Sequence, residues 1–294
     1  MDPNIITDDQ VEAFERDGFV TVGSTWSDGL IEDVSEIVDR QLGLYVDEAT
    51  QSRIPEKQRN LPGQTPKSYR IGLNSPLEAP YIRMLEDPFL EVLAKRMLHA
   101  DSVHVASVEP RNSHPEPNAE LKINEHTDMT LSLADLASTP RQMALLLFVW
   151  LADVDDRCAP LMVRPGSHRR IAEWMGDKPR YMLGPWDRND YINVPDETSL
   201  PVFLPAWRGQ LPELDYADLV PCVARAGQVT VLNPAIIHSA TNNIGQTNRK
   251  TVIVTMLPSS GEIGETKVRR TNRLNYVGKL KMLVSPDRSS ILSG

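Results

Sequence analysis

The run from Met143 to Trp150, which is apolar at every position, most constrains how this chain can fold. Successive side chains of a strand point to opposite faces, so a strand of this kind must be covered on both sides. Other short β-like runs, divided by turn residues, surround it and predict an all-β sandwich or barrel. The predicted strands cover residues 103–108, 119–126, 141–154, 160–164, 219–223, 228–233 and 249–257.

The first hundred residues instead predict helices around one short strand. A capping-box pattern begins at Thr7, and the helix it opens should end at Gly18. Residues Phe19 to Val22 alternate as a strand, Ser27 should cap a second helix, and Asp87 a third. The sequence therefore predicts a β core flanked by helices.

Two irregular segments lie between these elements. Residues 46–80 are rich in Pro, Gln, Ser and charged residues, which predicts a loop or flap. Residues 184–216 carry many aromatic and proline residues without a clear period, which favours a lid or pocket wall. Together they predict a pocket for a small, partly apolar molecule.

We expect one domain over residues 1–294. It divides into a helical amino-terminal part of about 5–100, a β core of about 101–260 and a carboxy-terminal extension, 261–294.

Composition and charge narrow the range of partners and compartments. The formal net charge of -9 argues against a nucleic-acid surface, because phosphate binding depends on clustered Lys and Arg. Cys158 and Cys222 are far apart and predict neither a disulfide framework nor a zinc site. The polar amino terminus and the lack of a long apolar run predict no membrane span. We expect a cytoplasmic protein with a small-molecule substrate; the oligomeric state, a homodimer included, stays open.

A metal-binding pattern occurs at His126 and Asp128, which lie two positions apart at the end of a predicted strand. Period-two geometry would direct both side chains to the same face. A second histidine from another strand would complete a set of two imidazoles and one carboxylate, which suits iron(II). The best candidate is His238, which follows an apolar strand and the turn at Asn233-Pro234.

Arg249 lies 249 − 238 = 11 residues after His238, at the start of another predicted strand. A hairpin-like return of that length can bring its guanidinium beside the metal cavity. A guanidinium fork binds a carboxylate bidentately, which is what the distal end of 2-oxoglutarate needs.

In their order along the chain, these motifs resemble the phytanoyl-CoA dioxygenase family. The resemblance spans residues 5 to about 257. It implies a mainly β fold with a double-stranded β-helix, or jelly-roll, core and flanking helices. The motifs are Thr7–Val20, His126-X-Asp128, Phe148–Val154, Val163–His168, Gly227–His238 and Arg249.

The resemblance also implies roles for individual residues. His126, Asp128 and His238 would bind iron(II), and Arg249 would pair with the C5 carboxylate of 2-oxoglutarate. His168 is not a ligand in this family, and the residues around it favour a turn whose Ser167 caps the next helix.

Three further residues are candidates for holding the co-substrate. Asn124 offers an amide two residues before His126, and Gln142 would contribute if it faces the same way as Trp150. Trp150 matches a family tryptophan near the co-substrate, and a buried core tryptophan is the alternative interpretation.

The expected function is oxidation of a C–H bond of a small molecule with O2 and 2-oxoglutarate, by hydroxylation or desaturation, in natural-product or specialised metabolism. Related halogenases have a small residue where this chain keeps Asp128, so chlorination is disfavoured. Three alternatives stay open: an oxygenase similar to isopenicillin N synthase, a catalytically inactive jelly-roll binding protein, and a non-oxidative metal-dependent hydrolase or isomerase.

Overall fold

The computed structural model describes residues 5–43, 68–70, 77–113, 115–176, 191–192, 211–260 and 265–292. The helices are α1 (Asp8–Asp17), α2 (Asp28–Gly43), α3 (Ala79–Glu86), α4 (Pro88–Leu98), α5 (Leu133–Ala137), α6 (Ser167–Met175) and α7 (Lys267–Leu280), with a 3₁₀ helix at Pro286–Leu292. The strands are β1 (Phe19–Val22), β2 (Ser68–Arg70), β3 (Val103–Ser113), β4 (Leu145–Trp150), β5 (Leu161–Val163), β6 (Tyr191–Ile192), β7 (Val220–Cys222), β8 (Val229–Leu232), β9 (His238–Ala240), β10 (Arg249–Pro258) and β11 (Glu265–Thr266).

These strands form two main antiparallel sheets and one small ribbon. The larger sheet has the strand order β1-β8-β4-β10-β3-β2, and the smaller one has the order β7-β5-β9. Strands β11 and β6 pair with each other. One apolar cluster contains side chains from both main sheets, such as Trp150 and Leu161, so the sheets face each other. The predicted β core with flanking helices is confirmed.

The central strand β4 shows why both sheet faces are covered. Leu145, Leu147 and Val149 point to one face and belong to the main apolar cluster, which includes residues of the amino-terminal helices. Phe148 and Trp150 point the other way, into the cluster between the sheets. We call these the helix-covered face and the inner face of the larger sheet.

The predicted helix ends are confirmed. The Thr7 side chain accepts the backbone N–H of Gln10, and Gly18 ends α1 with φ of 84°, a left-handed conformation that glycine adopts without strain. Asp87 accepts the N–H of Phe89 at 2.8 Å and caps α4. Such caps satisfy backbone groups that would otherwise lack partners.

Three predictions of local structure were wrong. Residues 119–126 do not form a strand, and only His126 makes an isolated bridge there. Within the predicted loop 46–80, Ser68–Arg70 pairs with β3 and α3 begins at Ala79. Pro80 fits the first turn of α3 because the backbone N–H groups there need no helical partner. The rest of that loop lies outside the described residues.

The other irregular segment is described only at Tyr191–Ile192 and from residue 211 onward, so its role as a lid stays a prediction. So does the division into a single domain. In the predicted extension, α7 and the 3₁₀ helix contact β3. Among the described helices, none combines the length and the apolar character needed to cross a membrane.

Candidate metal centre

Two chain segments that are distant in sequence are joined at His126 and His238. Each histidine donates its backbone N–H to the carbonyl of the other, both at 2.9 Å. The backbone N–H of Asp128 donates to the carbonyl of Pro234 at 2.8 Å. The turn at Asn233-Pro234 therefore positions Asp128, where the sequence had suggested strand alternation instead.

The three side chains converge. Nε2 of His126 lies 3.8 Å from Oδ1 of Asp128, and Nε2 of His238 lies 3.5 Å from Oδ2. One ligand atom from each residue lies within 4.8 Å of the other two, close enough to hold a single metal ion. The Asp128 side chain is 48% exposed and that of His238 is 5% exposed, so the cluster opens on the carboxylate side.

Hydrogen bonds to the backbone fix which ring nitrogen of each histidine faces the cluster. Nδ1 of His126 lies 2.9 Å from the carbonyl of Asn124, and Nδ1 of His238 lies 3.0 Å from the carbonyl of Ile236. A carbonyl only accepts, so each Nδ1 carries the proton and each Nε2 keeps its lone pair. Two imidazole nitrogens and one carboxylate are a donor set that fits iron(II).

The pKa values of the two histidines move in opposite directions. Burial, and then the charge of His238, lower the pKa of His126. Burial also acts to lower the pKa of His238, but the hydrogen bond and charge of Asp128 outweigh it, so this pKa is raised. A metal ion at the cluster would compete with the proton that charges His238, because a ligating imidazole must be neutral.

Arg249 is a deeply buried cation on the inner face. It is 6% exposed, and its guanidinium carbon lies 5.3 Å from the ring centroid of Trp150. Its Nε is buried without a hydrogen-bond acceptor among the described residues. Burial and the charge of Arg111 lower the pKa of Arg249 to about 10. A buried guanidinium with an unused donor is suited to an anion.

Trp150 fits the interpretation as a core tryptophan, and a role beside the co-substrate stays a prediction. It is fully buried, and its Nε1 donates to Oγ1 of Thr230 at 2.8 Å, as a core tryptophan would. Its ring also contacts the guanidinium of Arg249. The ring therefore forms part of the wall that holds this cation in place.

Arg111 is a residue that the sequence did not reveal. It lies opposite Thr251 in the β3–β10 register, while Arg249 lies opposite Ser113, so both arginines face the same side of the sheet. The charge of Arg111 also contributes to the lowered pKa of His126 and opposes the rise in the pKa of His238. Only the strand register could have identified it, because the predicted strand ended at residue 108.

The other three polar residues considered from the sequence lie outside the metal cluster. The carbonyl of Asn124 holds the His126 ring, and its side chain is exposed. Gln142 precedes β4 and donates to the carbonyl of Pro140 at 3.2 Å, so strand alternation does not align it with Trp150. His168 is buried with its Nε2 near the carbonyl of Glu15 and lies outside the metal cluster.

The predicted cap of α6 was wrong. Gly166 occupies the cap position, and Ser167 accepts the backbone N–H of Ile237 at 2.8 Å instead.

A surface cavity of about 630 Å³ lies near the cluster but on the other side of the bridge. Its lining includes Asn124, Glu125 and Ile237, and the side chain of Ile237 packs against Ile171 and Met175, away from the inner face. Arg164 also lines it and forms a bidentate salt bridge with Glu125. We place the chemistry at the histidines, because the donor atoms converge there.

A jelly-roll core that brings two histidines and one carboxylate together, with a buried arginine on the inner face of a sheet, is typical of mononuclear non-haem iron oxygenases. The family model described as phytanoyl-CoA dioxygenase (PhyH) matches residues 74–251. The chain belongs to that family. It is a 2-oxoglutarate-dependent non-haem iron dioxygenase, as the sequence predicted.

Comparisons with known proteins agree with this assignment. The chain is 26% identical over 250 residues to an ectoine dioxygenase of Bordetella parapertussis. This match covers 84% of this chain and 73% of the relative. The structure of EctD from S. alaskensis with 2-oxoglutarate and 5-hydroxyectoine matches with a TM-score of 0.54 at 18% identity. This match covers 90% of this chain and 80% of the EctD chain.

The epimerase SnoN from nogalamycin biosynthesis, solved with Fe3+, α-ketoglutarate and nogalamycin RO, matches with a TM-score of 0.58. It is 16% identical, and the match covers 88% of this chain and 85% of the epimerase. These likenesses confirm the jelly-roll fold. The expected iron and 2-oxoglutarate are confirmed by the family assignment, these relatives and the donor set of the cluster.

Proposed function

We propose that His126, Asp128 and His238 hold iron(II), that Arg249 holds the distal carboxylate of 2-oxoglutarate, and that the chain oxidises a C–H bond of a small molecule of specialised metabolism. The observation that carries this proposal is the convergence of the three ligand atoms within 4.8 Å of one another.

The ligand assignment is supported by how little the side chains would have to rearrange. The backbone carbonyls of Asn124 and Ile236 already orient both imidazoles. Asp128 is the most exposed of the three side chains and can rotate to meet an ion. Because the carboxylate is present, we expect hydroxylation or desaturation rather than halogenation.

The assignment of Arg249 is supported by charge and burial. A cation at 6% exposure with a buried, unused N–H group is costly unless an anion joins it. Trp150 covers one side of the guanidinium, which limits the directions from which a carboxylate can approach. Roles for Asn124 and Gln142 in binding the co-substrate stay predictions.

The residues of the chain orient the reactants and keep water away. Bound iron(II), with O2 and 2-oxoglutarate, supplies the oxidising chemistry and releases succinate and carbon dioxide. Arg249 fixes one end of the co-substrate, while Trp150, Phe148 and Ile253 make the adjoining inner face apolar. An apolar wall beside the co-substrate would exclude water and favour reaction with the positioned substrate over side reactions.

A role in specialised metabolism is supported by two of the similar proteins. SnoN comes from nogalamycin biosynthesis, and the Bordetella relative is an ectoine dioxygenase. Ectoine is therefore the first substrate to test, and formation of 5-hydroxyectoine is the product to look for.

The test is an anaerobic titration of the metal-free protein with iron(II) and then 2-oxoglutarate, which should produce a visible charge-transfer band. Arg249→Ala should weaken the band and raise the 2-oxoglutarate concentration it needs by about 10- to 100-fold, the effect of losing hydrogen bonds to a charged group. Arg164→Ala is the control, because that arginine is bonded to Glu125 on the opposite side of the bridge.

Folded protein without a band would refute the proposal and favour a binding protein. Turnover of a substrate without oxygen would instead indicate a metal-dependent hydrolase or isomerase.

A further inference from the structure

Arg111 has more hydrogen-bond donors than the surrounding protein uses. Its Nη2 donates to Oε2 of Glu109 at 2.9 Å, and its Nε is buried without an acceptor among the described residues. The contrast with Arg164 is informative, because Arg164 uses both Nε and Nη2 in a bidentate pair with Glu125. Arg164 is saturated by its own fold, whereas Arg111 retains donors for another group.

The position of Arg111 relates it to the reaction centre. In the antiparallel register it lies one side-chain pair away from Arg249, on the adjacent strand and the same face. Such diagonal neighbours are about 7–8 Å apart at the backbone, within reach of long side chains. Two guanidinium groups on one wall repel each other, and the carboxylate of Glu109 offsets part of this repulsion while it accepts from one N–H group of Arg111. A further anion between or beside the two arginines would use the remaining donors.

The two arginines differ in how accessible they are. The Arg111 side chain is 25% exposed, whereas Arg249 is 6% exposed. In the proposed function, the deeper Arg249 takes the distal carboxylate of the co-substrate. Arg111 is therefore the more accessible of the two, and Glu109 orients its guanidinium by accepting from one N–H group.

We propose that Arg111 binds a carboxylate of the primary substrate, and that this enzyme therefore selects small molecules that carry a carboxylate group. The inference rests on the proposed function, since it assigns the co-substrate to Arg249. Arg111 is thereby the residue that determines substrate class. The guanidinium geometry matches a planar carboxylate better than a lysine ammonium would.

The test compares acids with their primary amides, which have nearly the same shape but no charge. Binding of cyclohexanecarboxylate, cyclohexanecarboxamide, L-pipecolate and L-pipecolamide is measured by calorimetry, on protein loaded anaerobically with iron(II) and 2-oxoglutarate. The proteins are the wild type, Arg111→Gln, Arg111→Lys and the control Arg164→Gln. Circular dichroism checks that each variant is folded.

We expect the acids to bind at least about 10-fold more tightly than the amides, the usual scale for one charged hydrogen-bonding pair. Arg111→Gln should remove this preference, Arg111→Lys should restore part of it, and Arg164→Gln should keep it. The affinity for 2-oxoglutarate should fall far less in Arg111→Gln than in Arg249→Ala, because Arg249 keeps its own contact with the co-substrate, and it should not change in Arg164→Gln.

Equal binding of acid and amide by the wild type, or no binding of either acid, would overturn the inference. So would a loss of 2-oxoglutarate affinity in Arg111→Gln comparable to that in Arg249→Ala, because Arg111 would then serve the co-substrate. Failure of the proposed function is seen separately, as a missing charge-transfer band in the wild type before any acid is added.

Discussion

The two faces of the larger sheet differ in the side chains that they bury: one buries apolar groups, and the other buries charged groups with unused donors. On the helix-covered face, side chains such as Leu147, Val231 and Val252 are fully buried among apolar neighbours. On the inner face, Arg111 and Arg249 keep buried N–H groups without acceptors in the described part of the chain. The side chains of the first face are fully packed in the folded chain, whereas the second face keeps hydrogen-bond donors available for a ligand.

This difference separates stability from function. Burial of apolar area on the helix-covered face contributes to folding directly, at roughly 25 cal/mol per Å². The unused donors on the inner face contribute nothing to folding, and a desolvated charge there opposes it. Substitutions on the two faces should therefore have opposite consequences.

The largest expected effect is the loss of catalysis in Asp128→Ala. A bound metal contributes several kcal/mol to catalysis, so removing a ligand should lower succinate formation by roughly 1000-fold while the protein stays folded. Succinate release in the presence of iron(II) and O2 measures this. Glu125→Ala is the control, since Glu125 lies on the opposite side of the bridge. A fully active Asp128→Ala would show that Asp128 is not a ligand.

Leu147→Ala tests the helix-covered face. Leu147 is fully buried between Val231 and Val254 of the neighbouring strands, so the cavity should cost about 2–5 kcal/mol of unfolding free energy. The 2-oxoglutarate affinity of the remaining folded protein should not change, because the side chain points away from the inner face. Urea unfolding and the charge-transfer titration measure the two quantities. A large change in affinity would mean that the faces are coupled.

His168 provides a polar test away from both faces, between α1 and α6. Burial lowers its pKa to about 4, from about 6.5 in the unfolded chain. Between these values the unfolded chain binds the additional proton, so stability is retained above pH 6.5 and falls as the pH drops towards 4, by roughly 3 kcal/mol. Unfolding free energies measured at pH 7 and pH 5 should differ by about 2 kcal/mol because of this group, since the rest of the loss lies below pH 5. His168→Gln should show a shallower pH dependence; an unchanged one would assign it to other groups.

The smallest expected effect is a gain of stability in Arg249→Met. It tests the difference between the two sheet faces most directly. Removing a buried cation whose Nε has no acceptor among the described residues should raise the unfolding free energy of the ligand-free protein by about 1 kcal/mol, while 2-oxoglutarate binding weakens as in Arg249→Ala. Thermal unfolding without ligands measures it. Arg164→Met, which breaks a satisfied salt bridge, should not stabilise the protein. Destabilisation by Arg249→Met would mean that its packing on Trp150 outweighs the cost of its charge.

Local patterns predicted much of the fold and the metal centre. The apolar run of β4, the capping box at Thr7 and the spacing from His238 to Arg249 each depend on neighbouring residues, and the structure has the corresponding elements. His126 and Asp128 were also paired correctly, although the reason was different. Their placement depends on Pro234, which is more than one hundred residues away along the chain.

The features that sequence reasoning missed depend on tertiary contacts. Arg111 gains its significance only from the register of β3 against β10, which no local pattern specifies. Helix α3 was missed because the loop predicted from the composition of residues 46–80 extended into its first turn, where Pro80 suits a helix. The predicted strand 119–126 failed because its backbone pairs with another strand only at His126.

The mutual backbone bonds of His126 and His238 have a consequence for folding. An unfolded chain offers a metal only the local pair His126 and Asp128, because the third donor lies 238 − 126 = 112 residues further on. Closing a loop of that length costs conformational entropy, which the folded chain has already lost. If the three side chains hold iron(II) as proposed, the ion acts as a long-range cross-link. At tenfold excess over its dissociation constant it would add about 1.4 kcal/mol to the unfolding free energy, and a chelator would remove that increment.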